Sequence, residues 1–170
     1  MNKAKKHILG TTLIELMVAL IILGFIMFVV QAFFATGIRF FRQSQIKSEI
    51  QRNARTTLSL INRKLREAKA TSIVIDRLDS SQPPCSRLSF QTIDSESLSF
   101  FQSGLNLCMA DLTRGSTRQI SGDLRIMAFT YPMLYDDKII SISICFEKGT
   151  GSLEQKALQM SVEKVRLMND

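Results

Sequence analysis

Residues 10–30 read GTTLIELMVALIILGFIMFVV, and the reading of this stretch decides the fold. From Leu13 to Val30 it carries a single ionisable side chain, Glu15, in an otherwise apolar run. From Leu13 to Ala35 an α-helix would rise about 35 Å, enough to span the roughly 30 Å hydrocarbon layer of a bilayer with modest tilt. Lys3, Lys5 and Lys6 precede the run. By the positive-inside rule they place the N-terminus in the cytoplasm and the rest of the chain outside it. A charge at membrane depth costs about 2.5–3.5 kcal/mol on insertion scales, so Glu15 is expected to face a partner or a functional site.

The helical pattern continues past the membrane. From Gln31 to Ala70 there is no proline and Gly37 is the only glycine, among many good helix formers. Ile50, Ala54, Leu58, Ile61, Leu65 and Ala68 recur at steps of three and four, with Arg52, Arg55, Arg63 and Arg66 around them. Such a stripe predicts a helix half that packs on a sheet. Unbroken from Thr12 to Ala70, the helix would be about 88 Å long.

Beyond Ala70 the period changes from 3.6 to 2. Ser72–Arg77, Arg87–Ile93, Ser97–Phe101, Leu124–Tyr131, Lys138–Glu147 and Lys156–Leu167 are rich in β-branched and aromatic residues. Ile140, Ile142, Ile144 and Phe146 alternate with Ser141, Ser143 and Cys145, so one face of that strand is buried. Tyr135-Asp136-Asp137-Lys138 and Lys148-Gly149-Thr150-Gly151-Ser152 read as turns between strands. The expected fold is α+β: a long N-terminal helix packed on an antiparallel sheet. Its segments are an apolar half-helix over 11–35, an amphipathic half over 36–70 and a β head over 71–170.

The order Gly10-Thr11-Thr12-Leu13-Ile14-Glu15-Leu16-Met17-Val18 closely resembles the start of type IV prepilins and of the pseudopilins of type II secretion. In that family a short basic leader ends in Gly, a prepilin peptidase cuts after it, and the new first residue is N-methylated. The fifth mature residue is a Glu. The resemblance implies that residues 1–10 are such a leader, with cleavage after Gly10 and methylation of Thr11, where the family usually has Phe or Met. It also implies that Glu15 pairs with the N-terminal ammonium of a neighbouring subunit. A Sec signal peptide cut near Ala32-Phe33-Phe34-Ala35, or a plain signal anchor, would leave the offset between Gly10 and Glu15 unexplained.

Major type IV pilins usually carry a helix-kinking proline in the first half of the helix, and this chain has none. Arg55–Leu58 through Leu65–Ala68, and the late stretch Leu124–Tyr131, resemble loosely the J-type minor pseudopilin and the W-type minor pilin. The resemblance therefore implies a minor subunit that forms the tip and initiates assembly. A major pilin, a competence DNA-uptake pilin and a signal-anchored periplasmic binding or enzymatic domain are the alternatives. Its implied partners are the prepilin peptidase, other pilin or pseudopilin subunits, the inner-membrane assembly platform and the membrane itself. The implied location is the inner membrane by a single pass, then a pilus or pseudopilus. Gly24 and Gly37 weaken the helix by about 1 kcal/mol each. They read either as close helix contacts or, by the resemblance, as points of local melting during assembly.

Composition argues against catalysis. The net charge is +7, of which three charges and the only histidine, His7, would leave with the leader. Without histidine no Ser-His-Asp triad can be built, and no Gly-rich phosphate loop is present. No enzymatic activity, cofactor or metal is expected, and Asp136-Asp137 reads as a solvated turn rather than a calcium site. Lys47, Arg52, Arg55, Arg63, Lys64 and Arg66 form a basic helix surface without interleaved aromatics. It reads as a solvated or intersubunit face rather than a nucleic-acid site. Three cysteines lie in the exported part, with no CxxC. Two readings stand for them: a Cys85–Cys108 bridge between turn-rich segments, contributing about 3 kcal/mol, or three reduced, half-buried thiols.

Overall fold

The computed structural model describes residues 12–133, 138–149 and 156–169. The first element is α1, Leu13–Arg66, a helix of 54 residues. Eight strands follow: β1 Val74–Asp76, β2 Arg87–Gln91, β3 Ser97–Ser103, β4 Asn106–Asp111, β5 Ser116–Ser121, β6 Leu124–Thr130, β7 Ile139–Gly149 and β8 Lys156–Arg166. The chain divides into two compact units at Arg42/Gln43, and each is described by itself.

In the first unit the helix buries none of its large apolar side chains, which are between 42% (Val30) and 79% (Leu13) exposed. It is the one helix among the described residues long and apolar enough to cross a membrane. Covering each such side chain is worth about 1.5–3 kcal/mol, so the bare surface calls for lipid or other helices.

In the second unit the predicted stripe is the buried face of α1. Ile50, Ile61, Leu65 and Ala68 are fully buried, with Ala54 and Leu58 nearly so. The fold is α+β as expected, but the strands form two antiparallel sheets rather than one: β1-β2-β3-β4-β5 and β6-β7-β8. The stripe, Leu88, Phe100 and Leu107 of the larger sheet, and Met127, Phe129, Ile142 and Phe146 of the smaller one share a single core. Phe90 stacks on Phe100 with ring centroids 6.1 Å apart. Ile140, Ile142, Ile144 and Phe146 all point into this core, as their alternation predicts.

β4 and β5 are additions to the sequence reading. The hairpin joining β3 to β4 turns at Gly104, whose φ of +59° lies in the left-handed region that favours glycine. Between β4 and β5, Asp111 Oδ1 accepts hydrogen bonds from the backbone N–H groups of Thr113 and Arg114, both at 3.0 Å. The two turns expected at 135–138 and 148–152 fall largely outside the described residues.

The helix stops at Arg66, four residues earlier than its composition suggests. The sheets capture the backbone there: the Ile93 N–H donates to the Glu67 carbonyl at 3.0 Å and the Lys69 N–H to the Gln91 carbonyl at 2.9 Å. Asn169 Nδ2 donates to the carbonyl of Arg66 at 2.7 Å, satisfying an otherwise orphaned acceptor at the helix end. Arg63, Lys64 and Arg66 place positive charge in that last turn. Asn169→Ala is expected to cost about 1 kcal/mol, read as a lower midpoint in chemical denaturation with an unchanged slope.

Candidate functional site

Glu15 stands in the first turn of α1 and is exposed. Thr12 opens this end: its carbonyl accepts from the N–H groups of Glu15 at 3.0 Å and Leu16 at 3.2 Å. A carboxylate in this turn complements the positive end of the helix dipole, worth about 0.3–1 kcal/mol at a surface. Gly10 and Thr11, the residues implied as cleavage and methylation sites, lie outside the described residues.

Behind Glu15 the helix presents apolar side chains on every face: Leu16, Leu20, Leu23, Phe25, Phe28 and Val29 are each at least half exposed. A soluble amphipathic helix would show one polar face. The Thr36 hydroxyl donates to the Ala32 carbonyl at 3.0 Å, so this polar group is satisfied within the helix. The helix runs unbroken through Gly24 and Gly37, and a Cβ at either would meet nothing within 4 Å. Within this chain, then, neither glycine is required for packing. What this segment can do chemically is present apolar area in bulk and one carboxylate at its end.

The three cysteines are free and half-buried, and the Cys85–Cys108 bridge is not formed. The segment read as a loop around Cys108 is strand β4, where Cys108 sits in the ladder between Phe101 and Gln119. Cys85 adopts a left-handed turn conformation, φ +65°, and its carbonyl accepts from the Phe129 N–H at 2.9 Å. Burial pushes the Cys108 and Cys145 thiols up, away from the thiolate form that reacts. Among the described residues no three His, Cys, Asp or Glu side chains gather as a ligand set, and Asp136-Asp137 lies outside those residues.

The charged groups of the head mostly pair with one another. Glu147 accepts from Lys156 Nζ at 2.5 Å and Arg125 Nη1 at 2.8 Å, tying β6, β7 and β8 together. The Lys156 ammonium, more than the Arg125 guanidinium, holds the Glu147 carboxyl below the usual carboxylate range. Arg87 does the same for Asp76 across the β1–β2 pair. Lys148 bonds Glu49 of α1 at 2.6 Å, which raises its own pKa and fastens the helix to β7. The basic helix surface expected from the sequence is only partly neutralised: Lys64 pairs with Glu67 at 2.7 Å. Arg55, Arg63 and Arg66 form no ion pair among the described residues.

No protein-family model, curated protein or solved structure matches this chain.

Proposed function

We propose that this chain is a structural subunit of a type IV pilus or type II secretion pseudopilus, in a minor role at the tip or in initiation. One observation carries the reading. A helix bare of polar cover on all sides begins with a single carboxylate, Glu15, placed at a fixed offset from Gly10 behind a basic leader. The subunit waits in the inner membrane, anchored by the apolar half of α1. Extraction into a filament is tolerable because the same surface is buried again among sister helices. Glu15 then meets the ammonium of Thr11 on a neighbour. An unpaired charge in that setting costs several kcal/mol, so the pair selects the axial register more than it adds raw stability. A helix without proline suits a minor subunit better than a major one.

The test is the mature N-terminus. Mass spectrometry of the chain purified from cells that contain a prepilin peptidase should find it beginning at Thr11 and one methyl group heavier than its sequence. Gly10→Ala should retain the leader and move the mass accordingly. A native chain that begins at Met1 would make the protein a membrane-tethered head domain.

A further inference from the structure

We propose that the open edge of β8 receives an extended segment of a partner protein in which acidic and apolar side chains alternate. β8 is an edge strand: it pairs along its whole length with β7, from Ile139↔Arg166 to Gly149↔Lys156, and with no other described strand. Its register is continuous, it holds no proline, and no bulge turns it away. Edges of this length are normally blunted, because their unpaired backbone groups template another strand.

Along the middle of β8 the side chains are patterned opposite to a strand that ends a sheet in water, while Lys156, Lys164 and Arg166 charge its two ends. Leu158, Met160 and Val162 alternate on the outward face and are 50%, 64% and 54% exposed. Ile126 extends that apolar row across the sheet through Cys145 to Met160. Toward α1, by contrast, Gln159, Ser161 and Glu163 fill positions between the buried Ala157 and Val165. The smaller sheet therefore keeps apolar surface outside and polar groups along its inner rim.

Between Glu163 of that rim and α1 lies a groove of about 470 Å³, lined on the helix side by Arg55, Leu58, Ser59, Asn62, Arg63 and Arg66. Its three guanidiniums have no ion-pair partner among the described residues. Asn62 Oδ1 is buried and accepts no hydrogen bond among the described residues. A strand added to β8 answers the open edge, the guanidiniums and the apolar row at once. Its backbone pairs with the edge. Side chains on one face reach the arginines, which requires carboxylates. Those on the other face continue the Leu158, Met160 and Val162 row, which requires apolar residues. A nucleic-acid strand fits less well: no aromatic side chain lines the groove to stack on bases.

The experiment uses the full chain in detergent micelles and fluorescence anisotropy of a short labelled peptide alternating glutamate and valine. Saturable binding is expected. A peptide of the same composition in shuffled order should bind about tenfold more weakly, as should the alternating peptide to Arg55→Glu/Arg63→Glu and, separately, to Met160→Glu. Each variant changes only exposed side chains, so thermal unfolding should be unmoved. Equal binding of the shuffled peptide, or wild-type binding by either variant, overturns the proposal. So does an absence of binding. Tighter binding of a single-stranded oligonucleotide, lost in the arginine variant, would make the groove a polyanion site instead.

Discussion

Glu15→Val is expected to leave the chain in the inner membrane while removing it from sheared filaments. Insertion becomes easier, because a carboxylate, whose cost reaches about 2.5–3.5 kcal/mol at the centre of a membrane helix and is smaller in its first turn, is exchanged for a slightly favourable residue. In the proposed filament, assembly becomes harder, because the ammonium of a neighbouring Thr11 would lose its counter-charge in a medium where an unpaired ion costs several kcal/mol. Even about 3 kcal/mol is more than a hundredfold in an equilibrium. Immunoblots of membrane and filament fractions measure both effects in one culture. Glu15→Gln, which keeps a hydrogen-bonding end without charge, should fall between valine and the parent. Parental amounts of Glu15→Val in filaments would show that no ammonium meets this side chain. Peptidase processing would then have to be explained without an assembly role for Glu15.

The parts of the fold legible in the sequence are those written in a single period. The stripe from Ile50 to Ala68 and the alternation from Ile140 to Phe146 each repeat often enough to fix a buried face, and both are buried. The helix end was not legible, because Glu67, Ala68, Lys69 and Ala70 are as helix-prone as the residues before them. Their backbone goes to Gln91, Ile93 and Asn169 instead, partners that no local pattern announces. β4 escapes the period-2 signature because its buried residues, Leu107 and Ala110, lie three apart with half-buried Cys108 and Met109 between them. β5 escapes it because its first four residues are exposed and polar, so backbone pairing to β4 is what holds it. The candidate site divides in the same way. Glu15 is plain from its apolar neighbours, whereas the groove beside β8 joins residues about a hundred positions apart and has no signature in either segment alone. The inverted pattern of Leu158, Met160 and Val162 is visible in the sequence, but which face is the outer one is decided only by where α1 packs.

Gln102, a residue with no signature of its own, bridges the two sheets, and its replacement should be among the most damaging in the head. Gln102 lies on β3 and is 6% exposed. Its Nε2 donates to the carbonyls of Gly104 at 2.9 Å and Arg125 at 3.1 Å, while its Oε1 accepts from the Met127 N–H at 3.2 Å. One amide thus satisfies backbone groups at the start of β6 from within the other sheet. Met127 is fully buried, so water cannot replace the lost acceptor at its N–H. Gln102→Leu keeps the volume and removes all three bonds. Three backbone groups lose their partner; the orphaned N–H of buried Met127 alone costs about 1–3 kcal/mol, and with the two carbonyls the expected loss is near 3 kcal/mol after the small gain from an apolar side chain. For a head of this size that corresponds to a fall of about 10 °C in melting temperature. Gln119→Leu, which breaks only the exposed bond from Gln119 Nε2 to Asn106 at 3.1 Å, should stay within about 0.5 kcal/mol. If the two variants melted together, the junction between the sheets would owe its stability to packing and to backbone bonds such as those from the Phe129 N–H to the Cys85 carbonyl and from the Leu124 N–H to the Leu105 carbonyl, and the buried amide would be an incidental occupant of β3.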